Sequence, residues 1–183
     1  MAKKQSDILE WARLMVRLRA RASIVSEIAG ISDVDARKLW HQETGSKPPS
    51  GQQGNDEKWF LKGQRRVHSA LILQLHAISS RSLPKHASLA HAYYHYARIT
   101  AGISDRGSWE TDPAFRRSED DYVIPFSRAY FLVRTYTDDQ YPSGKRKCDL
   151  QIRRCKSCGT LFLGHVQEVG HKCPSCSCKK PNS

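Results

Sequence analysis

Apolar side chains recur every three or four residues along the first part of the chain. Between Asp7 and about Ala29, the positions Ile8, Trp11, Met15, Leu18, Ala22 and Val25 fall on one side of an α-helix, with Ser6 placed to cap its start. Arg13, Arg17 and Arg21 are spaced by four and lie roughly opposite that stripe, as a solvated polar face would. This helix is expected to stop at Gly30. A second helix follows, with Ser32 and Asp35 in capping-box spacing and Gly45 as its C-terminal stop. It presents Arg37, Lys38 and His41 on one side and turns Leu39 and Trp40 inward. Helix, glycine turn, helix over residues 20–45 is the outline of a helix-turn-helix, an outline that any helical hairpin with a glycine turn shares.

"SKPPSGQQGN" is too rich in Pro, Gly and Ser to be helical and predicts a loop. The apolar-rich stretch from Asp56 to about Ser79, with Trp59, Phe60, Val67, Leu71, Leu75 and Ile78, predicts a long helix capped by Asn55. "LPKHASLAHAYYHYARITAG" predicts another, entered at Pro84 and ended by Gly102. His91 and His95 share a face of it at i, i+4 spacing, but with no acidic partner or third ligand nearby in the sequence they are expected to be ordinary helix residues. Residues 103–123 are polar, acidic and without period, hence a loop. A last helix is expected from about Phe126 to Asp138, with Phe126, Tyr130, Val133 and Tyr136 on one stripe. The fold class is therefore mainly α: a multi-helix body with a helix-turn-helix-like N-terminal part.

The remaining stretch has a different character. Cys155 and Cys158 form one C-x-x-C pair and Cys173 and Cys176 another, with fourteen residues between the pairs. A two-residue gap lets both sulfurs of a tight turn reach one ion at about 2.3 Å, and two such turns complete a tetrahedron. Gly159 suits the turn after the second cysteine, which often needs positive φ. "TLFLGHVQEV" between the pairs is apolar enough for short strands, as in a zinc ribbon. Cys148 and Cys178 lie outside the symmetric pairs, although Cys178 can replace Cys176, and His165 or His171 can replace a thiolate. The symmetric spacing favours Cys155, Cys158, Cys173 and Cys176 as ligands of one structural zinc ion, because four thiolates leave no open position for catalytic water. A disulfide or redox role is the competing reading.

Composition adds a partner to this picture. The 183-residue chain carries a formal net charge of +12, which favours a polyanion. From Lys145 to Ser183, nine Lys or Arg stand against Asp149 and Glu168, leaving +7 in 39 residues. No run approaches a membrane span, and the N-terminal 30 residues interleave apolar positions with arginines where a secretory leader would be uninterrupted. A cytoplasmic setting, reducing enough for clustered cysteines to hold metal, is expected. The chain divides into a helical body, residues 1–140, and a basic zinc-ribbon-like module, residues 141–183.

The order of motifs resembles a known family. "ISDVDARKLWHQETGSKPPSG", then "RRVHSALI", then "SRAYFLVRTY" leading into the C-x-x-C pairs is similar to FlhC, the C subunit of the bacterial flagellar master transcriptional activator, from about Gly30 to Cys176. The resemblance implies a mostly helical, cytoplasmic protein with structural zinc on Cys155, Cys158, Cys173 and Cys176. It also implies a smaller helical partner, FlhD, in a heterohexamer of two C and four D subunits that binds and bends promoter DNA, recruits RNA polymerase and switches on class II flagellar genes.

Three function classes compete on the residues themselves. For a DNA-binding activator, Arg153, Arg154, Lys156, Lys172, Lys179 and Lys180, with Arg37 and Lys38 of the helix-turn-helix-like segment, are the expected phosphate contacts. A zinc-ribbon RNA-binding or ribosome-associated protein shares the charge and the cysteines, but the zinc stretch offers only Phe162 for base stacking. A zinc hydrolase or nuclease needs an open metal position and a general base, for which only Glu168 and His165 stand near. The chain is accordingly not expected to be an enzyme.

Overall fold

The computed structural model describes residues 2–50, 56–101, 122–137, 150–167 and 172–177, with side chains from residue 6 onward. Helices dominate these residues: α1 (Ala2–Arg17), α2 (Ala22–Ala29), α3 (Asp33–Thr44), a 3-10 helix (Glu57–Leu61), α4 (Gln64–Ser79), α5 (Lys85–Ala101), α6 (Phe126–Thr137) and the short α7 (Pro174–Ser177). A single antiparallel pair, β1 (Leu150–Arg154) with β2 (Leu161–His165), supplies the described sheet.

The expected first helix is in fact two. It breaks after Arg17, where Ala20 N–H reaches back to the Met15 carbonyl and Arg19 N–H to that of Val16. This paired pattern closes a helix end when the intervening residue is left-handed, and Arg19 takes that role at φ 66°. Arginine has a Cβ that opposes the conformation, which is why a glycine-free sequence gave no stop there. Ser6 consequently lies inside α1 and is not its cap.

The next turn follows the sequence closely. Gly30, at φ 66°, ends α2, and its N–H bonds to the Ser26 carbonyl. Ser32 Oγ then accepts from Asp35 N–H to start α3, and Gly45, at φ 67°, closes it onto the His41 carbonyl. Leu39 and Trp40 are buried, while Arg37, Lys38 and His41 are exposed. Arg13 is exposed as its spacing suggests and Arg17 is half-buried; both pair with Glu43 of α3, at 3.6 and 2.8 Å, so α1 and α3 are tied by charge as well as packing.

The expected helix from Asp56 to Ser79 is interrupted as well. Asp56 caps the 3-10 helix by accepting from Lys58 N–H, and Gly63, at φ 53°, restarts the chain as α4. Asn55 lies outside the described residues. The buried face of α4 is Ser69, Ala70, Ile72 and Leu73, whereas Val67 and Ile78 of the apolar series are exposed. α5 begins where Pro84 predicts, with the Pro84 carbonyl accepting from Ala87 and Ser88. Its expected stop, Gly102, and residues 103–121 of the loop expected at 103–123 lie outside the described residues, while 122 and 123 are irregular.

The core sits between α4, α5 and α6 on one side and α1 to α3 on the other. Tyr93 and Tyr96 are fully buried on α5, and both serve the segment before α6: Tyr93 Oη donates to the Ile124 carbonyl at 2.9 Å, and Ile124 N–H donates to Tyr96 Oη at 3.2 Å. Tyr93 also meets Phe126 edge to face, and Phe60 stacks on Phe131. Each such ring removes enough apolar surface to stabilise the fold by about 1.5–3 kcal/mol. The expected stripe of α6 packs inward at Phe126, Val133 and Tyr136, with Tyr130 half-buried.

Candidate metal centre

Each C-x-x-C pair sits on its own turn, and both turns are anchored to regular structure. Cys155 ends β1: its N–H donates to the Thr160 carbonyl, and Gly159 N–H donates to the Cys155 carbonyl, both at 2.9 Å. That tight loop needs a left-handed residue, and Gly159 supplies it at φ 74°. Cys173 and Cys176 are carried by the start of α7, where Ser177 returns its N–H and its hydroxyl to the Cys173 carbonyl.

The β1–β2 register, Ile152 opposite Leu163 and Arg153 opposite Phe162, brings the first turn over α4. Alternation along β2 then divides its side chains. Leu163 joins the main helical core, and Phe162, fully buried, joins a second cluster with Ala70 of α4, Cys155 and Cys173, against which Cys176 packs. Leu161 N–H donates to Gln74 Oε1 at 3.2 Å, one helical turn beyond Ala70. A flank of α4 thus forms one wall of the cysteine site. Sequence spacing does not identify Ala70 or Gln74, because their role comes from packing between distant segments.

The four sulfurs all lie within 4.8 Å of one another, and Cys158 and Cys173 approach to 3.5 Å. All four cysteines are free thiols, so the disulfide reading is not what the structure contains. Sulfurs bound tetrahedrally at about 2.3 Å from one ion stand about 3.8 Å apart, and the observed spacing matches that donor set. The four cysteines therefore form a group that can hold a metal ion, and it is the one such group of His, Cys, Asp and Glu among the described residues.

The electrostatics suit a cation at the centre. The Cys155 thiol is held down at about 6, chiefly by the Cys173 backbone N–H, with burial opposing and the Cys158 and Ser157 amides assisting. Cys158 is also lowered, first by Thr160, whose Oγ1 lies 3.2 Å from its sulfur. Crowding drives the other two upward: Cys176 is pushed up to about 12 by hydrogen bonding with Cys158 and Cys173, and Cys173 is raised mainly by burial. Two thiols are lowered, one is raised by neighbouring sulfur and one by burial, and a cation among them would favour the thiolate form of all four.

The basic residues expected around the site are placed as follows. Arg153 and Arg154 extend from β1, Arg153 donating to the Val166 carbonyl at 2.6 Å and Arg154 to the Gly159 carbonyl at 3.1 Å. Lys156 and Lys172 are exposed beside the two cysteine turns. Arg37 and Lys38 are exposed on α3, which packs on α1 and α2. Lys179, Lys180, Cys148, Cys178, Glu168 and His171 lie outside the described residues. His165, at the end of β2, is exposed and outside the sulfur group. On α5, His91 and His95 are within 3.2 Å of each other, and His91 Nδ1 is 3.0 Å from Ser79 Oγ, so they are partnered within the fold.

Comparison with known proteins agrees with this architecture. A family model described as the flagellar transcriptional activator FlhC matches residues 1–183. The flagellar transcriptional regulator FlhC of Thauera aminoaromatica is 24% identical over 182 residues, covering 98% of this chain and 80% of the relative. That of Verminephrobacter eiseniae (strain EF01-2) is 26% identical over 171 residues, covering 91% and 79%, and that of Sodalis glossinidius (strain morsitans) is 22% identical over 181 residues, covering 98% and 81%. A helical chain of this kind, ending in a strand pair and a four-cysteine group and matched along its whole length, belongs to the FlhC family of flagellar transcriptional regulators.

Proposed function

We propose that this chain is the zinc-bound, DNA-binding subunit of a transcriptional activator that works in the cytoplasm with an FlhD-like partner, in a heterohexamer of two C and four D subunits, to recruit RNA polymerase to class II flagellar promoters. The observation that carries this reading is the four-sulfur group, flanked by Arg153, Arg154, Lys156 and Lys172, in a chain matched throughout by the flagellar activator family. Zinc fits the donor set best, because four thiolates in a tetrahedron suit a soft ion with no geometric demand of its own. Cys155, Cys158, Cys173 and Cys176 hold it, and it supplies folding energy and no chemistry: a closed sulfur shell leaves no place for substrate. Lys179 and Lys180 of the basic C-terminal sequence add further phosphate contacts, with Arg37 and Lys38 as a separate contact on α3.

Duplex DNA is favoured over RNA by the state of Phe162. Phe162, between the two cysteine pairs, is fully buried among the cysteines, so its ring is closed to an unstacked base. In support of the cytoplasmic setting, no helix of the described residues is long and apolar enough to cross a membrane.

Co-expression with an FlhD-like protein, size-exclusion chromatography and a gel shift on a flagellar promoter duplex, with structured RNA as competitor, test the reading together. A stable complex that shifts the duplex and resists the RNA is expected. A chain that assembles with no such partner and prefers RNA would refute it.

A further inference from the structure

Cations outside the cysteine module also gather on an element that packs against it. The 3-10 helix packs against β2, and around its Trp59 the fold gathers Lys58, Lys62, Arg65 and Arg128. The Arg65 guanidinium lies over the Trp59 ring at 4.2 Å and that of Arg128 at 4.7 Å. Lys58 and Lys62 are exposed, and Arg65 and Arg128 are half-buried. These residues come from two segments far apart in sequence, so the cluster is invisible as a charge run.

Among the described residues their charge is only partly balanced, with Asp56 acting on Arg128. Among the described residues none of the four has a carboxylate within ion-pair distance, whereas Arg13, Arg17 and Arg134 are each paired with glutamate. Arg128 Nη1 is buried and has no hydrogen-bond partner. Its pKa is drawn below the ordinary arginine value by burial, against which Asp56 acts more strongly than the smaller lowering by Arg65 adds. Two guanidinium groups held against one ring by cation–π attraction still repel each other, and an anion is what relieves that repulsion. Stacking uses the flat face of a guanidinium, so the half-buried Arg65 keeps in-plane N–H groups for a phosphate beside the exposed Lys58 and Lys62, while the buried Arg128 Nη1 adds charge without a direct contact.

Trp59 itself is no base-stacking platform, because guanidinium groups cover the ring and Phe60 meets it edge to face at 5.2 Å. It acts as a holder of cations. That combination suits the regularly spaced phosphates of a duplex better than the splayed bases of a single strand.

We propose that Lys58, Lys62, Arg65 and Arg128, gathered around Trp59, form a second contact surface for the phosphate backbone of duplex DNA, adjoining the cysteine module across β2. This rests on the DNA-binding reading above and adds to it a part of the helical body that neither the cysteine spacing nor the basic tail indicates.

The test is fluorescence anisotropy on a labelled promoter duplex across a salt series, using the full zinc-loaded chain in its complex with the partner subunit. Zinc content and circular dichroism are checked for every variant. Lys58→Gln with Lys62→Gln, both at exposed positions, is expected to reduce the slope of log affinity against log salt by up to about 0.9 per lost contact, and Arg65→Gln by a similar single step. Arg65→Lys, which keeps the charge, is expected to keep the slope. Unchanged slopes in folded, zinc-loaded Lys58, Lys62 and Arg65 variants, with a reduced slope in Arg153→Ala/Arg154→Ala, overturn this inference and leave the functional reading standing. Absence of duplex binding by the unmodified complex overturns both.

Discussion

The backbone N–H of Leu161, at the start of β2, donates to Gln74 Oε1 of α4 at 3.2 Å, which adds a directional tie to the packing of Phe162 and Leu163 against the helical body. Removing that acceptor leaves a part-buried amide unpaired. Gln74→Ala is expected to cost about 1–3 kcal/mol and to speed hydrogen exchange at the Leu161 amide before it changes zinc content. An amide protected as well in the variant as in the parent would show that the bond contributes nothing.

Metal removal acts on the same region more severely. Structural zinc contributes on the order of 10 kcal/mol in small cysteine modules, and Phe162 has the sulfur cluster as its surroundings. Cys158→Ser, or chelation of the parent, is expected to abolish exchange protection across Leu150–His165 while α1 to α3 keep theirs. Elemental analysis showing full metal occupancy in the serine variant would sink this.

Tyr96 makes two contacts with one hydroxyl: it accepts from Ile124 N–H at 3.2 Å and lies 2.9 Å from His68 Nδ1. Tyr96→Phe keeps the ring in the core and strands a buried amide, so a loss of about 1–3 kcal/mol in urea unfolding is expected. Tyr93→Phe, which frees the carbonyl of the same residue, is expected to cost less, since carbonyls tolerate a missing partner better.

Glu43 accepts both Arg13 and Arg17, and it is the least exposed of the three. Glu43→Gln is expected to lower stability by about 1 kcal/mol, with Arg13→Ala nearly silent because that partner is more than half exposed and screened. A melting-temperature comparison of the two single variants decides it.

Acid is expected to destabilise the fold through its histidines. Burial lowers the pKa of His68, His76, His91 and His95 below 6.5, with His95 adding to the effect on His91 and Arg98 to that on His95. Each is favoured neutral in the fold, so the unfolded chain takes up protons first as pH drops. This contribution is complete above about pH 6.5 and fades below it. His76, beside Ser88 Oγ at 3.3 Å, is the most buried of the four. His76→Gln, with zinc occupancy monitored throughout, is expected to flatten the fall in melting temperature between neutral and mildly acid pH. An identical pH profile would remove His76 from the account.

How much of this was legible beforehand depends on the range of the interaction. Ser32, Asp35, Gly30 and Gly45 announce the α2–α3 hairpin because capping is settled within a few residues. The cysteine pairs are equally plain, since metal geometry fixes their spacing. The break at Arg19 is not, because a side chain that disfavours the left-handed region occupies it for the sake of packing on both sides. On α4, apolar content pointed to Val67 and Ile78, yet the buried face is centred on Ala70 and Leu73, where small residues admit the strand pair and neighbouring helices. Trp59 with its two arginines, and Gln74 with Leu161, depend on segments that meet only once the chain has folded.

Ala70 is a methyl group pressed between a long helix and a knot of thiols. Anything bulkier there would have to evict Phe162 or prise the two pieces apart, so loosening either one loosens both. Heating the metal-loaded chain should accordingly give one sharp calorimetric peak, with no shoulder from a tail melting on its own.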